Sequence, residues 1–108
     1  MKRIDAMIPS IRRGVVVEAI MKAGATGVTI AETRGRGSGE RPLVRGPRAA
    51  ARYIAEYNRI DCITVIVDES KVNVIVNAIM NAANTGKAGD GKILVSTVEE
   101  AYDVATKS

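Results

Sequence analysis

The alternation of apolar and polar positions marks out elements from the first residues. Ile4, Ala6 and Ile8 alternate with Arg3, Asp5 and Met7, the two-residue period of a strand, and Pro9 stops it. Val16, Ala19, Ile20 and Ala23 recur at helical spacing, with Ser10 placed to cap the helix and Gly24 to end it. Residues 27–34 are rich in β-branched side chains and read as a second strand, broken by Gly35, Gly37 and Gly39. From 60 to 67 nearly every position is apolar except Asp61 and Thr64, the pattern of a strand covered on both faces. Asp68 or Ser70 is placed to cap a second helix, whose stripe is Val72, Ile75, Val76, Ile79 and Ala83. Asn73, Asn77, Asn81 and Asn84 fall on or near its solvated side. Ile93, Leu94, Val95 and Ser96 make a last strand. Residues 99–105 read as a short terminal helix, or as a frayed tail if nothing docks them.

The order β-α-β-β-α-β is a split βαβ arrangement, an α+β sandwich of the ferredoxin-like type in one domain, 1–108. A long connection, about 36–58, separates the second and third strands. Pro42, Gly46 and Pro47 interrupt its first half, and the Ala-rich stretch 48–57 reads as a short helix. Connections of this length in compact domains are usually functional or mobile. Two helices cover one face of a four-stranded sheet, so other copies of the chain are the simplest cover for the second face, and closed rings are the common form.

Composition narrows the picture. Aromatic residues are 3% and all tyrosine, so Val, Ile, Ala and Met must build the core. The chain has no apolar run near 18 residues, so no membrane span is expected. Met1-Lys2-Arg3 leads straight into strand pattern without a signal-peptide apolar region. A single cysteine, Cys62, excludes an internal disulfide, and a cytoplasmic protein is expected. With no histidine, no zinc or redox-metal site is expected, and Ser-His-Asp chemistry is excluded. No nucleophile–base pair is visible, so no catalytic residue is assigned.

The net charge of +4 matters less than its placement: Arg34, Arg36, Arg41, Arg45, Arg48, Arg52 and Arg59 crowd the central connection. Such a cluster fits a nucleic-acid patch, a loop that meets a phosphate-bearing ligand or acidic partner, or a solvated loop kept soluble by charge. The region lacks Phe and Trp, which leaves few stacking platforms for single-stranded nucleic acid.

The densest chemistry lies in Thr85-Gly86-Lys87-Ala88-Gly89-Asp90-Gly91-Lys92-Ile93, with its phosphate-binding part at 85–92. Glycines allow close backbone approach, successive N–H groups form anion-binding nests, and Asp90 is placed to brace the turn. The Gly86-x-x-x-x-Gly91-Lys92 spacing is that of a P-loop, but Ile93 stands where Ser or Thr should hold magnesium. The loop also follows a helix and opens a strand, the reverse of a P-loop. The alternative is a plain helix-to-strand turn with Gly86 just past the helix end.

Several stretches together resemble the PII nitrogen-regulatory family: Met1-Lys2-Arg3-Ile4-Asp5-Ala6, Gly24-Ala25-Thr26-Gly27-Val28-Thr29-Ile30, Glu32, Gly35 and Gly37, Leu43-Val44-Arg45-Gly46, and the glycine block at 85–93. The resemblance runs along nearly the whole chain. It implies a ferredoxin-like homotrimer that is not an enzyme and that binds ATP or ADP between subunits, with magnesium accompanying ATP. It implies a long T-loop that docks onto protein targets such as an ammonium transporter or a nitrogen-assimilation enzyme. Residue by residue, Gly35 and Gly37 match glycines beside the phosphates, and Gly89, Asp90, Gly91 and Lys92 match the phosphate loop. Gly27, Val28 and Thr29 match the neighbouring subunit's lip around the adenine. Met7 and Ile66 match apolar positions of the adenine pocket, with Thr64 close by. Arg41, Arg45, Arg48 and Arg52 fall in the partner-binding loop.

The chain also departs from the family pattern. Ser38 stands where the family has a phosphate-binding arginine, and Arg36 is the displaced substitute. Asp103 and Ala105 stand where an Arg-x-Arg pair reaches a neighbour's phosphates, with Lys107 as the nearest replacement. Gly39 replaces the glutamine that organises 2-oxoglutarate, Pro9 aligns with the cation for its far carboxylate, and Arg59 or Ile60 aligns with the lysine at the loop base. A dicarboxylate leaving water needs charge-assisted donors, so weak or absent 2-oxoglutarate binding is expected. Tyr53 and Tyr57 lie in an insertion and do not match the family's modified tyrosine. These changes keep two alternatives open: a PII-like regulator of another pathway, such as inorganic carbon uptake, and a basic ferredoxin-like RNA-binding module, whose affinity would fall steeply with salt.

Overall fold

The structure is a computed structural model, and it describes residues 1–37, 43–45, 52–54 and 57–108. The expected alternation at the N-terminus forms β1 (Lys2–Pro9), which leads through a 3-10 turn, Ser10–Arg12, into α1 (Arg13–Lys22). After β2 (Thr29–Gly35), two short strands, β3 (Leu43–Arg45) and β4 (Arg52–Ile54), pair with each other. The chain returns through β5 (Asn58–Val67), a second 3-10 turn at Glu69–Lys71 and α2 (Val72–Ala83), and closes with β6 (Lys92–Thr97). The four long strands form one antiparallel sheet in the order β2-β5-β1-β6. With two helices packed on one face, this is the ferredoxin-like α+β fold.

The core lies between that face and the helices. Ile4, Ala6 and Ile8 from β1 and Ile63 and Val65 from β5 meet Val16 and Ile20 of α1 and Ile75 and Ile79 of α2. Because side chains alternate across a strand, Met7 of β1, Ile60, Cys62, Thr64 and Ile66 of β5, and Leu94 of β6 point to the other face. Met7, Ile66 and Leu94 there are exposed. β5 thus offers apolar groups to both sides, as its nearly continuous apolar run predicts. The asparagines at 73, 77, 81 and 84 are exposed, also as expected.

Local chemistry at the helix ends differs in part from the sequence expectation. Gly24, at φ +105, closes α1 in a Schellman turn, with Ala25 N–H donating to Ile20 O and Gly24 N–H to Met21 O. Neither helix start has a side-chain cap: Ser10, Asp68 and Ser70 do not cap, and each helix is instead entered through a 3-10 turn. Gly86 is not the residue just past α2. The helix ends at Ala83 with Asn84 extended, and the Asn84 side chain accepts a hydrogen bond from Gly86 N–H.

In the irregular regions one expectation is corrected and one pair of alternatives is decided. Within 48–57, residues 52–54 are a strand paired with 43–45 rather than part of a helix, since Arg52, Tyr53 and Ile54 find backbone partners in Arg45, Val44 and Leu43. The remaining residues of that stretch, apart from Tyr57, lie outside the described residues. Residues 99–105 take the second of their two expected forms, the undocked tail, and not the helix. They run as an exposed tail ending in a turn, because the segment docks no apolar stripe: Tyr102 and Val104 are both exposed.

Candidate functional site

One end of the sheet, where β1 and β5 meet the root of the 36–58 connection, carries a cleft of about 1040 Å³. Three segments build it. The end of β1 contributes Met7 to Pro9 and the following turn adds Ser10, Ile11 and Arg13. The end of β2 contributes Thr33 to Gly37, and the start of β5 contributes Asn58, Arg59 and Ile60. The glycine-rich turn closes the cleft with Ala88, Gly89, Gly91 and Lys92.

The glycines of this turn are required by geometry. Gly86, Gly89 and Gly91 take φ of +79, +98 and +117, a region L side chains rarely enter. Gly91 has a second constraint, because a Cβ there would lie 2.1 Å from the Met7 carbonyl oxygen. The turn is thereby seated directly on the backbone of β1. Its other side is held by Asp90, whose carboxylate accepts from Thr85 N–H at 2.7 Å and Gly86 N–H at 3.0 Å, and also from the Thr85 hydroxyl. That hydroxyl and those backbone donors hold the Asp90 carboxyl below its ordinary pKa. Asp90 therefore faces into its own loop and braces it rather than lining the cleft. What the loop leaves toward the cleft is backbone and the Lys92 side chain, with Arg36 opposite at the end of β2. Backbone that allows close approach, in a cleft also lined by Lys92 and Arg36, fits a phosphate group.

On the helix side of the cleft lies a network that the sequence pattern did not reveal. Asp61 is fully buried, and its carboxylate accepts from the Ser10 hydroxyl at 2.7 Å and from Arg13 Nη1 at 3.0 Å. The same Nη1 donates to Glu32 at 2.9 Å. Both carboxylates push the Arg13 pKa upward, Glu32 foremost. Ser10 donates its hydroxyl to Asp61 and sits within the 3-10 turn rather than at the cap position of α1, which Arg12 occupies. A lone acid inside an apolar strand, with a serine and an arginine about fifty positions earlier, was the available signal.

The expected site residues fall in several places. Met7, Gly35, Arg36, Gly37, Gly89, Gly91 and Lys92 are brought together in the cleft. Gly27, Val28, Thr29, Thr64 and Ile66 are not: in this chain they sit toward the opposite end of β2 and β5. Thr64 donates its hydroxyl to Asp5 at 2.6 Å, and Ile66 is exposed on the open face of the sheet. Ser38, Arg41 and Arg48 lie outside the described residues, as does Gly39, while Arg45 and Arg52 are register partners in the β3–β4 pair. Asp103, Ala105 and Lys107 belong to the exposed tail, away from the cleft.

Comparison with known proteins accords with this geometry. The family model described as nitrogen regulatory protein P-II matches residues 1–108, the whole chain. The chain belongs to the P-II family. Curated P-II relatives include the nitrogen regulatory protein P-II of Rhizobium meliloti (strain 1021), 36% identical over 98% of this chain and 93% of the relative. The Bradyrhizobium diazoefficiens protein is 37% identical and the Nostoc punctiforme protein 34%, with the same coverage. Within this P-II frame, the buried Asp61 with Ser10 and Arg13 adds a feature to the cleft that the glycine loop alone does not explain. Among the described residues, no helix is long and apolar enough to cross a membrane, and no group of three His, Cys, Asp or Glu side chains is placed to hold a metal.

Proposed function

We propose that this chain is a non-enzymatic, cytoplasmic P-II signalling protein that binds ATP or ADP and regulates a protein target through its 36–58 loop. The observation that carries the reading is the glycine turn seated on the Met7 carbonyl, which presents backbone and Lys92 to a cleft also reached by Arg36. Bound nucleotide would bring its phosphates to that turn. Gly89, Gly91 and Lys92 would hold them, Arg36 would add the charge that Ser38 lacks, and Met7 would meet the base. Gly27, Val28, Thr29, Thr64 and Ile66 reach such a site only from a second copy, which supports a homotrimer with ligand between subunits. Among the described residues no carboxylate lines the cleft, so magnesium would arrive with ATP rather than be held beforehand. The target is of the ammonium-transporter or nitrogen-enzyme kind, met by Arg41, Arg45, Arg48 and Arg52.

Calorimetric titration with ATP, ADP and AMP, with and without magnesium and 2-oxoglutarate, tests this reading. Saturable binding of ATP or ADP, lost in Lys92→Ala, is the expected result. Binding of no adenylate would end the nucleotide reading, and RNA binding with a steep salt dependence would replace it. Tightening of ATP binding by 2-oxoglutarate would overturn the inference that the effector site is lost.

A further inference from the structure

The register of β2 against β5 places two like-charged pairs side by side. Glu32 stands opposite Asp61, and Arg34 stands opposite Arg59. Like charges directly across a strand pair are destabilising. By the two-residue alternation both pairs share the helix side of the sheet, roughly 7 Å apart along the strands. The acidic pair is compensated, because Arg13 Nη1 bridges Glu32 and Asp61. The arginine pair has no carboxylate partner among the described residues. Arg34 and Arg59 are exposed, and both line the cleft together with Arg13, Ser10 and Asn58. This cation cluster lies across the sheet from Met7 and Lys92, whose side chains point to the open face.

We propose that this cluster is a second subsite for a compact oxyanion group, and that Glu32, which borders the cleft without lining it, is the chain's own placeholder on Arg13. The two acids on Arg13 differ in a way that sets their roles. Asp61 is buried and also held by Ser10, so it fixes the guanidinium in place. Glu32 is 67% exposed and makes one hydrogen bond to Arg13, so an incoming oxyanion displaces it at small cost. Arg34 and Arg59 then gain a negative charge that no carboxylate among the described residues gives them. The group is a phosphate or carboxylate. It comes either from a free anion or from the terminal phosphate of a nucleotide in the same cleft; the second source rests on the nucleotide reading and the first does not.

The test is calorimetric titration of the full chain with inorganic phosphate, acetate, ATP and AMP, comparing the parent with Glu32→Gln, Glu32→Asp and Arg59→Gln. Removing the placeholder tightens binding roughly two- to fivefold, the worth of an exposed ion pair, and Arg59→Gln weakens it by a similar factor. Glu32→Asp keeps the charge but shortens the reach, so it tightens binding as Glu32→Gln does. A gain for phosphate and acetate, with ATP and AMP unchanged, identifies a free anion. A gain for ATP absent with AMP identifies the nucleotide tail. Tightening by Glu32→Gln alone reduces the effect to net charge and overturns the placeholder; no change in either Glu32 variant overturns the subsite. If no adenylate binds but the phosphate response persists, the nucleotide reading fails and this one stands.

Discussion

At the scale of single residues, Gly91 is where sequence and geometry constrain each other most tightly. Its φ of +117 and the Met7 carbonyl 2.1 Å from a built Cβ exclude any side chain without backbone movement. The strained conformation alone costs about 1–3 kcal/mol, and relief of the clash must displace β1 or the turn. Gly91→Ala therefore lowers the melting temperature in scanning calorimetry. Gly37→Ala, with nothing within 4 Å of its Cβ and a φ outside the left-handed region, leaves it nearly unchanged. The glycine turn was legible in sequence because its signal is local: three glycines, an acid and two lysines within nine residues. Asp61 was not. In sequence it is one polar interruption of an apolar strand, and its meaning depends on Ser10 and Arg13, which only the pairing of β1 with β5 brings near.

At the scale of elements, Asp61 ties the start of α1 to β5. Asp61→Ala removes the acceptor of both Ser10 and Arg13, and the lost hydrogen bonds cost about 1–3 kcal/mol. Arg13→Ala destabilises further, because it leaves a buried carboxylate with the Ser10 hydroxyl as its remaining side-chain partner among the described residues. Urea denaturation of the two variants gives the order. Strands and helices with a clear period were readable from apolar spacing, including both faces of β5. Helix starts were not, because Ser10, Asp68 and Ser70 have cap-like identities but 3-10 turns supply the entry instead. The Ala-rich 48–57 stretch misled for a related reason: helix propensity is weak against the backbone partners that Leu43–Arg45 offers Arg52–Ile54.

For the whole molecule, the open face of the sheet is the surface that the proposed assembly would use. Leu94 is 49% exposed on the same face of the sheet as Met7 and Ile66, apolar groups that the proposed homotrimer would cover. Leu94→Glu then shifts the protein from trimer to monomer in sedimentation velocity. A parent chain that sediments as a monomer would remove the between-subunit cleft from the functional reading. That face was legible from β5 alone, since no single layer of two helices can cover both of its sides. The number of copies comes from the family and not from the pattern.

The seating of Gly91 on Met7 reaches further than the turn itself. The Met7 carbonyl lies in the plane of the sheet on the side of β6, and the same peptide leads into Ile8, the register partner of Asp61. One peptide of β1 thus joins the glycine turn to the strand position that faces the Asp61–Arg13 pair. Were ligands at the two proposed places coupled through it, whatever factor one applied to the other's affinity would be returned in equal measure.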